Sequence, residues 1–369
     1  MSISTVPFND LSRSVADIRA DIDAAIARVV SSGWFVLGPE HNAFEAELAQ
    51  YVGVRHAVNV GNGTDALELA LAALGVTNGS IVLTVANAGA YTSTATRLLG
   101  AEPVFVDIDP STMLMSAETL HAALAACAEP PTAIVVTHLY GALAPMAEIC
   151  AVAREAGIPV LEDCAQSLGA TVDGVKGGSL ADIATTSFYP TKNLGGLGDG
   201  GAVLTNRDDL ADSVRRMRQY GWASKYNIEY AHGRNSRMDE LQAAILRVKL
   251  PLLDAGNQRR RDIHTAYESA AQSRVTFVNT ANESFIGHLA VVTAENRDEV
   301  RAQLTAAGVT TDVHYPIPDF LQKFPDFSPR AMPVEATLWA SEHILSLPMF
   351  PELTDAEVEQ VVRALEALS

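Results

Sequence analysis

From about residue 55 onward, short β-branched runs alternate with stretches whose apolar positions recur at helical spacing. The runs at Val58–Val60, Ile81–Val85, Pro103–Val106, Ala133–Val136, Pro159–Leu161, Ile183–Phe188 and Ala202–Leu204 are mostly apolar, which predicts strands covered on both faces. Helical patterns separate them over residues 64–74, 91–99, 116–127, 146–156 and 208–218. That order predicts a doubly wound, mostly parallel α/β sheet, whose ligands sit beyond the carboxyl ends of the strands. A further helix is expected over 236–250, stopped by Pro251. The remaining chain mixes short strands and helices and closes on an amphipathic helix capped by Thr354. We therefore expect a large domain over residues 1–250, including the N-terminal segment, and a smaller α+β domain over 251–369.

Composition narrows the function classes. The chain has 369 residues, 48 % of them hydrophobic and 19 % charged, enough for two folded units with a sizeable core. Its net charge of −18 repels phosphate backbones and argues against nucleic acid, so a phosphorylated ligand needs a local site that works against the global field. The three cysteines, Cys127, Cys150 and Cys164, are odd in number and have no metal-ligand spacing, which suits reduced thiols and no metal centre. Neither a leader pattern nor a bilayer-length apolar stretch is present, so a cytoplasmic location away from membranes is expected.

The candidate chemistry centres on Lys192. The chain has five lysines, and this one alone follows a buried-type strand and precedes a glycine run, in Ser187-Phe-Tyr-Pro-Thr-Lys192-Asn-Leu-Gly-Gly-Leu-Gly. A primary amine in a partly dry pocket sheds its proton readily and attacks aldehydes, as lysines do toward carbonyl substrates and pyridoxal phosphate (PLP). Gly61-Asn-Gly63-Thr64-Asp65 follows one strand and opens a helix, which makes an anion seat of free amides and a hydroxyl, or else a helix capped by Thr64 or Asp65. It matches neither a dinucleotide fingerprint nor a P-loop. Ser187 is either a second phosphate hydroxyl or an ordinary strand-end serine. Asp163 ends the Pro159–Leu161 strand, where it either pairs with a pyridinium N–H or caps the next helix. Tyr91 either stacks on a cofactor ring or packs a helix start, and His138 either lines the cavity or is a satisfied core histidine.

Four segments in order, Gly-Asn-Gly-Thr-Asp-Ala-Leu, Glu162-Asp-Cys-Ala-Gln-Ser, Ser-Phe-Tyr-Pro-Thr-Lys-Asn-Leu-Gly and Arg234-Asn-Ser-Arg-Met-Asp-Glu-Leu-Gln242, resemble the DegT/DnrJ/EryC1/StrS family of PLP-dependent sugar-nucleotide aminotransferases. The resemblance spans essentially the whole chain and implies PLP-dependent fold type I. It implies that Lys192 is the Schiff-base lysine and proton carrier, that Asp163 pairs with the ring nitrogen, and that Gln166 contacts the ring hydroxyl region. It further implies that Gly63, Thr64 and Ser187 hold the phosphate, and that Asn235 reaches the phosphate of a neighbouring subunit in a homodimer with shared sites. Trp34, His314 and Tyr315 match positions around the sugar-nucleotide pocket. Two places depart from the family pattern: the Ala86–Tyr91 stretch aligns Tyr91 through a short insertion, and Phe320 stands where histidine is usual.

Relatives that dehydrate carry histidine at the lysine position, so Lys192 argues for transamination. Arg247–Asp254, Gly200-Gly201 and Asn235-Ser-Arg237 look most like the branch that aminates C3 of dTDP-3-keto-6-deoxyhexoses. The expected activity is transfer of nitrogen from L-glutamate to such a sugar, giving a dTDP-3-amino-3,6-dideoxyhexose; the alternative is amination at C4 of a dTDP- or UDP-sugar. Two other classes stand beside it, a regulator that binds PLP or a sugar nucleotide without turnover and a nicotinamide-dependent oxidoreductase, the latter disfavoured by the missing fingerprint.

Overall fold

In a computed structural model that describes residues 5–324, 330, 331 and 333–368, the strands form at the expected places. They are β1 (His56–Val60), β2 (Ile81–Val85), β3 (Glu102–Val106), β4 (Ala133–Thr137), β5 (Val160–Asp163), β6 (Ile183–Ser187) and β7 (Gly201–Thr205). The sheet runs in the order β1-β7-β6-β5-β4-β2-β3, with Arg330–Ala331 added beyond β3. Strands β2 to β6 are parallel, and β7 runs antiparallel to both neighbours, β6 and β1. β1 and β6 therefore point the same way, and the carboxyl ends of β1, β5 and β6 meet at one edge of the sheet. Nearly every residue of these strands is buried, as their apolar composition requires of a sheet covered on both faces.

The C-terminal third carries an antiparallel sheet of Thr276–Phe277, Ala290–Thr293 and Ile344–Leu347, packed with helices Leu253–Ala270, Arg297–Ala306 and Asp355–Glu366 around a separate core. Val6 joins this core, bridging to Val309, so the N-terminal segment is drawn to the C-terminal third before the chain enters the large sheet. Phe285, Leu289 and Val291 pack the other way, into the core beside β2 and β4. Thr354 caps the last helix through a reciprocal pair with Glu357, as its position predicts.

Two local expectations change. The helix expected from 236 begins at Glu240, because Asn235 and Asp239 are held extended by bridges to Gln219 and Val36. The helix after β1 (Gly63–Ala73) is capped by Asn62, which accepts from the Asp65 amide at 2.8 Å, so neither Thr64 nor Asp65 caps it.

Behind the end of β5, the fully buried Glu162 carboxylate ties the sheet to the Gly178–Ala181 turn. Its oxygens accept from the amides of Gly178 (2.9 Å), Leu180 (2.8 Å) and Ala181 (2.9 Å) and from His138 Nε2 (3.0 Å). The Ala144 amide donates to His138 Nδ1 at 3.1 Å, so Nε2 carries the ring proton and His138 is a satisfied core histidine. Glu162→Ala strands four buried donors and should destabilise the cofactor-free protein by about 3 kcal/mol or more. Glu162→Gln, which keeps one acceptor oxygen, should lose roughly half as much, both read by urea denaturation; equal stability of Glu162→Ala and wild type would remove this anchor.

Candidate active site

A cavity of about 570 Å³ opens at the sheet edge where β1, β5 and β6 end. Asp163 is the last residue of β5 and Ser187 the last of β6; Gly63 and Thr64 begin the helix after β1, and Tyr91 begins the helix after β2. All five line the cavity together with Gln166, Lys192, His314 and Tyr315. Trp34 and Asn235 do not. Trp34 is 56 % exposed, with its indole N–H on its own Val36 carbonyl, and the Asn235 side chain accepts from Arg237. His138 lies outside the lining, behind the strand ends.

At the helix end the cavity has the features of an anion seat. The amides of Gly63 and Thr64 have no acceptor among the described residues, because they belong to the unpaired first turn of the helix. Gly63 is required by space: a Cβ there would stand 2.7 Å from Ser187 Cβ. The backbones of β6 and the helix start therefore approach closely enough for the Ser187 and Thr64 hydroxyls to flank the free amides.

Lys192 follows β6 on a short loop, its amide donating to the Tyr189 carbonyl at 2.8 Å. Its Nζ has no hydrogen bond or ion pair among the described residues. Burial lowers its pKa from 10.5 to about 8, and the negative charge of Asp163 opposes that shift. Asp163, 5 % exposed, is pushed above the ordinary carboxylate range by burial, against the pull of the Ala165 amide, Lys192 and His138. Oδ1 accepts from Ala165 at 3.1 Å, an Asx turn in place of the helix cap considered above, while Oδ2 has no donor among the described residues. A cationic ring N–H would supply the donor that Oδ2 lacks, the free amides could seat a phosphate, and the unpartnered amine could act as a nucleophile. The residues present thus fit PLP in the three respects that its chemistry demands.

The remaining wall is built by distant segments. Gln166 accepts the Tyr140 amide at 2.7 Å and donates to the Tyr315 hydroxyl at 3.2 Å, and the Tyr140 hydroxyl donates to the His314 carbonyl at 2.7 Å. Phe8 stacks on His314 with centroids 5.6 Å apart, and His314 Nδ1 lies 2.9 Å from Ser346 Oγ. Tyr91 meets Tyr315 edge-on at 6.2 Å, and Gly89, at φ +79°, leaves them room, since its Cβ would fall 2.9 Å from the Tyr315 ring. Asp319 fastens this wall to the segment that follows β2. It accepts from the Ala90 amide (2.8 Å) and the Ser93 hydroxyl (2.6 Å), and burial raises its pKa to about 6.

Sequence reasoning missed Asp319, Phe8, Asn9 and His288, all of which line or brace the cavity. Phe8 and His288 are about 180 positions from Lys192 or about 100 beyond it, in segments with no motif of their own. For Asp319 the only local signal was its place in the His314–Phe320 stretch.

Residues 16–366 match the DegT/DnrJ/EryC1/StrS aminotransferase family. The chain is 41 % identical to the erythromycin biosynthesis sensory transduction protein EryC1 of Saccharopolyspora erythraea, over 98 % of this chain and 99 % of that protein. It is 40 % identical to a dTDP-3-amino-3,4,6-trideoxy-alpha-D-glucose transaminase of Streptomyces venezuelae, over 98 % and 95 %. It is 39 % identical to the UDP-2-acetamido-2-deoxy-3-oxo-D-glucuronate aminotransferase of Pseudomonas aeruginosa, over 98 % and 99 %. Among solved structures, S. venezuelae DesV in complex with a ketimine intermediate superposes with a TM-score of 0.93 at 38 % identity, covering 98 % of each chain. Bacillus subtilis NtdA with bound cofactor PMP superposes with a TM-score of 0.91 at 30 % identity, covering 99 % of this chain and 85 % of that one. With the fold of these enzymes and a cavity suited to their cofactor, the chain belongs to the DegT/DnrJ/EryC1/StrS family and is a PLP-dependent sugar-nucleotide aminotransferase.

Proposed function

We propose that this enzyme transfers the amino group of L-glutamate to C3 of a dTDP-3-keto-6-deoxyhexose, giving a dTDP-3-amino-3,6-dideoxyhexose. The observation that carries the reaction class is the placement of Lys192 and Asp163 in one cavity, within electrostatic reach of each other and beside an anion seat. Support for C3 comes from two relatives that differ in nucleotide and sugar yet share a nitrogen or oxo group named at carbon 3. The dTDP part is supported by the dTDP-3-amino-sugar transaminases among the relatives, one of which is named for a 3,6-dideoxy sugar.

In this reading Gly63, Thr64 and Ser187 bind the cofactor phosphate, with Gln166 and Tyr91 along the ring. Bound PLP supplies the electron sink that stabilises negative charge at the carbon losing its proton. Asp163 keeps a negative charge beside the ring nitrogen. Lys192 Nζ, close to half neutral at pH 8, takes the proton from the substrate carbon and returns it. Its lowered pKa makes one group serve both directions near neutral pH, since acceptor and donor forms are both populated. Trp34 and Asn235, which lie outside their own chain's cavity, would serve a neighbouring one, so a homodimer with shared sites is part of the proposal. His314 and Tyr315 would line the sugar end.

Incubation with L-glutamate and, separately, dTDP-3-keto-, dTDP-4-keto- and UDP-ketosugars, followed by NMR of the product, should place the new amine at C3 of a dTDP sugar; nitrogen at C4 would overturn the assignment. Lys192→Ala should keep the fold by circular dichroism and lose turnover by at least about 10³-fold. Asp163→Asn should retain cofactor but react with glutamate at least about 100-fold more slowly in stopped-flow absorbance, and near-normal rates would point to another carboxylate. In the cofactor-free protein, capture of the PLP aldehyde should rise with pH to a midpoint near 8, because only the neutral amine attacks. Since Asp163 raises the Lys192 pKa, Asp163→Asn should move that midpoint lower; a midpoint near 10.5 in the wild type would show an amine untouched by burial.

A further inference from the structure

A chain of side-chain amides fixes the proton on His288. It starts at a backbone carbonyl, which can only accept. Asn257 Nδ2 donates to the Leu168 carbonyl at 3.2 Å, which leaves Asn257 Oδ1 as an acceptor. Asn193 Nδ2 donates to that oxygen at 2.7 Å and also reaches the Ile286 carbonyl at 3.4 Å. Asn193 Oδ1 must then accept from His288 Nδ1, 2.8 Å away, so the ring carries its hydrogen on Nδ1. Burial, reinforced by the charges of Lys192 and Arg260, holds the pKa of His288 well below 6.5. Nε2 is consequently a bare acceptor at neutral pH.

His288 is 7 % exposed and lines the cavity with Lys192, and no described residue donates to its Nε2. A fixed acceptor at the wall of a cavity becomes costly once an occupant displaces water from it, unless that occupant brings a donor. Bound PLP would offer its ring N–H to Asp163 in the proposed function, whereas a sugar ring brings several neutral hydroxyls. His288 also comes from the C-terminal third, as do Asp312, His314 and Tyr315 on the same lining, while the anion seat and Asp163 come from the large sheet.

We propose that His288 is a specificity-determining substrate contact whose Nε2 accepts a hydrogen bond from a sugar hydroxyl flanking the carbon that receives nitrogen. This rests on the function proposed above. Asparagine at this position can keep the donor to Asn193 but has no atom at Nε2, whereas glutamine can place an acceptor there.

The test titrates holoenzyme calorimetrically, without glutamate, using the ketosugar nucleotide that the wild type aminates and its 2-deoxy and 4-deoxy counterparts. The wild type should bind the hydroxylated sugar about tenfold more tightly than one of the deoxy sugars. His288→Asn should erase that preference, and His288→Gln should restore most of it. The loss on the sugar side should exceed any loss in the glutamate half-reaction by about tenfold. A wild type indifferent to both hydroxyls, or a His288→Asn variant weakened equally toward all three sugars, overturns the proposal. So does an equal loss in the glutamate half-reaction, which would make His288 a partner of Lys192 instead. A wild type that aminates no nucleotide ketosugar removes the underlying function, an outcome distinct from an aminating wild type with an indifferent variant.

Discussion

The proposed chemistry depends on one electrostatic balance, between the cost of holding Lys192 and Asp163 away from water and the attraction between them. Burial drives the amine and the carboxyl toward their neutral forms, and each charge restrains the other. Neither tendency wins outright for the amine, whose pKa comes to rest near 8. A fully solvated lysine would be protonated too completely to act as a base, and one buried without a carboxylate would sit lower still. In that reading the rest of the site shields the two groups from water while leaving them open to a ligand on one side.

The fold achieves that by topology. Parallel strands bring Asp163 and Ser187 to the same edge, and β1, running with them across the antiparallel β7, delivers the helix start at Gly63 to that edge as well. Residues more than a hundred positions apart in sequence thus meet without any long loop. The opposite lining is supplied by chain that has crossed to the C-terminal third and by the N-terminal segment drawn to it through Val6.

Much of this was legible in the sequence because it is local. Strand runs such as Ile81–Val85 are apolar throughout, since both faces are covered, and Lys192 and Asp163 betray themselves by following such runs. What was not legible depends on contacts between distant segments. Nothing around Phe8 announces that it will stack on His314, and nothing around His288 reveals that Asn193 will set its tautomer. Helix starts were misjudged for a related reason: Asn62 outcompeted two equally plausible caps, and tertiary bridges held Asn235 and Asp239 extended where local propensity favoured a helix. Trp34 and Asn235, both expected at the site, lie outside the cavity that their own chain forms.

In the proposed function, adjacent acids on β5 divide the work between support and chemistry. Glu162 and Asp163 project to opposite sides of the strand, as neighbours in a strand do. The first has every oxygen engaged by the protein, and the second leaves one oxygen for a visitor. Rigidity and reactivity are therefore assigned to separate side chains one peptide apart. Sequence drift on the pocket side can re-tune which molecules enter without loosening the scaffold behind it, which is a physical route by which one architecture accommodates many sugars.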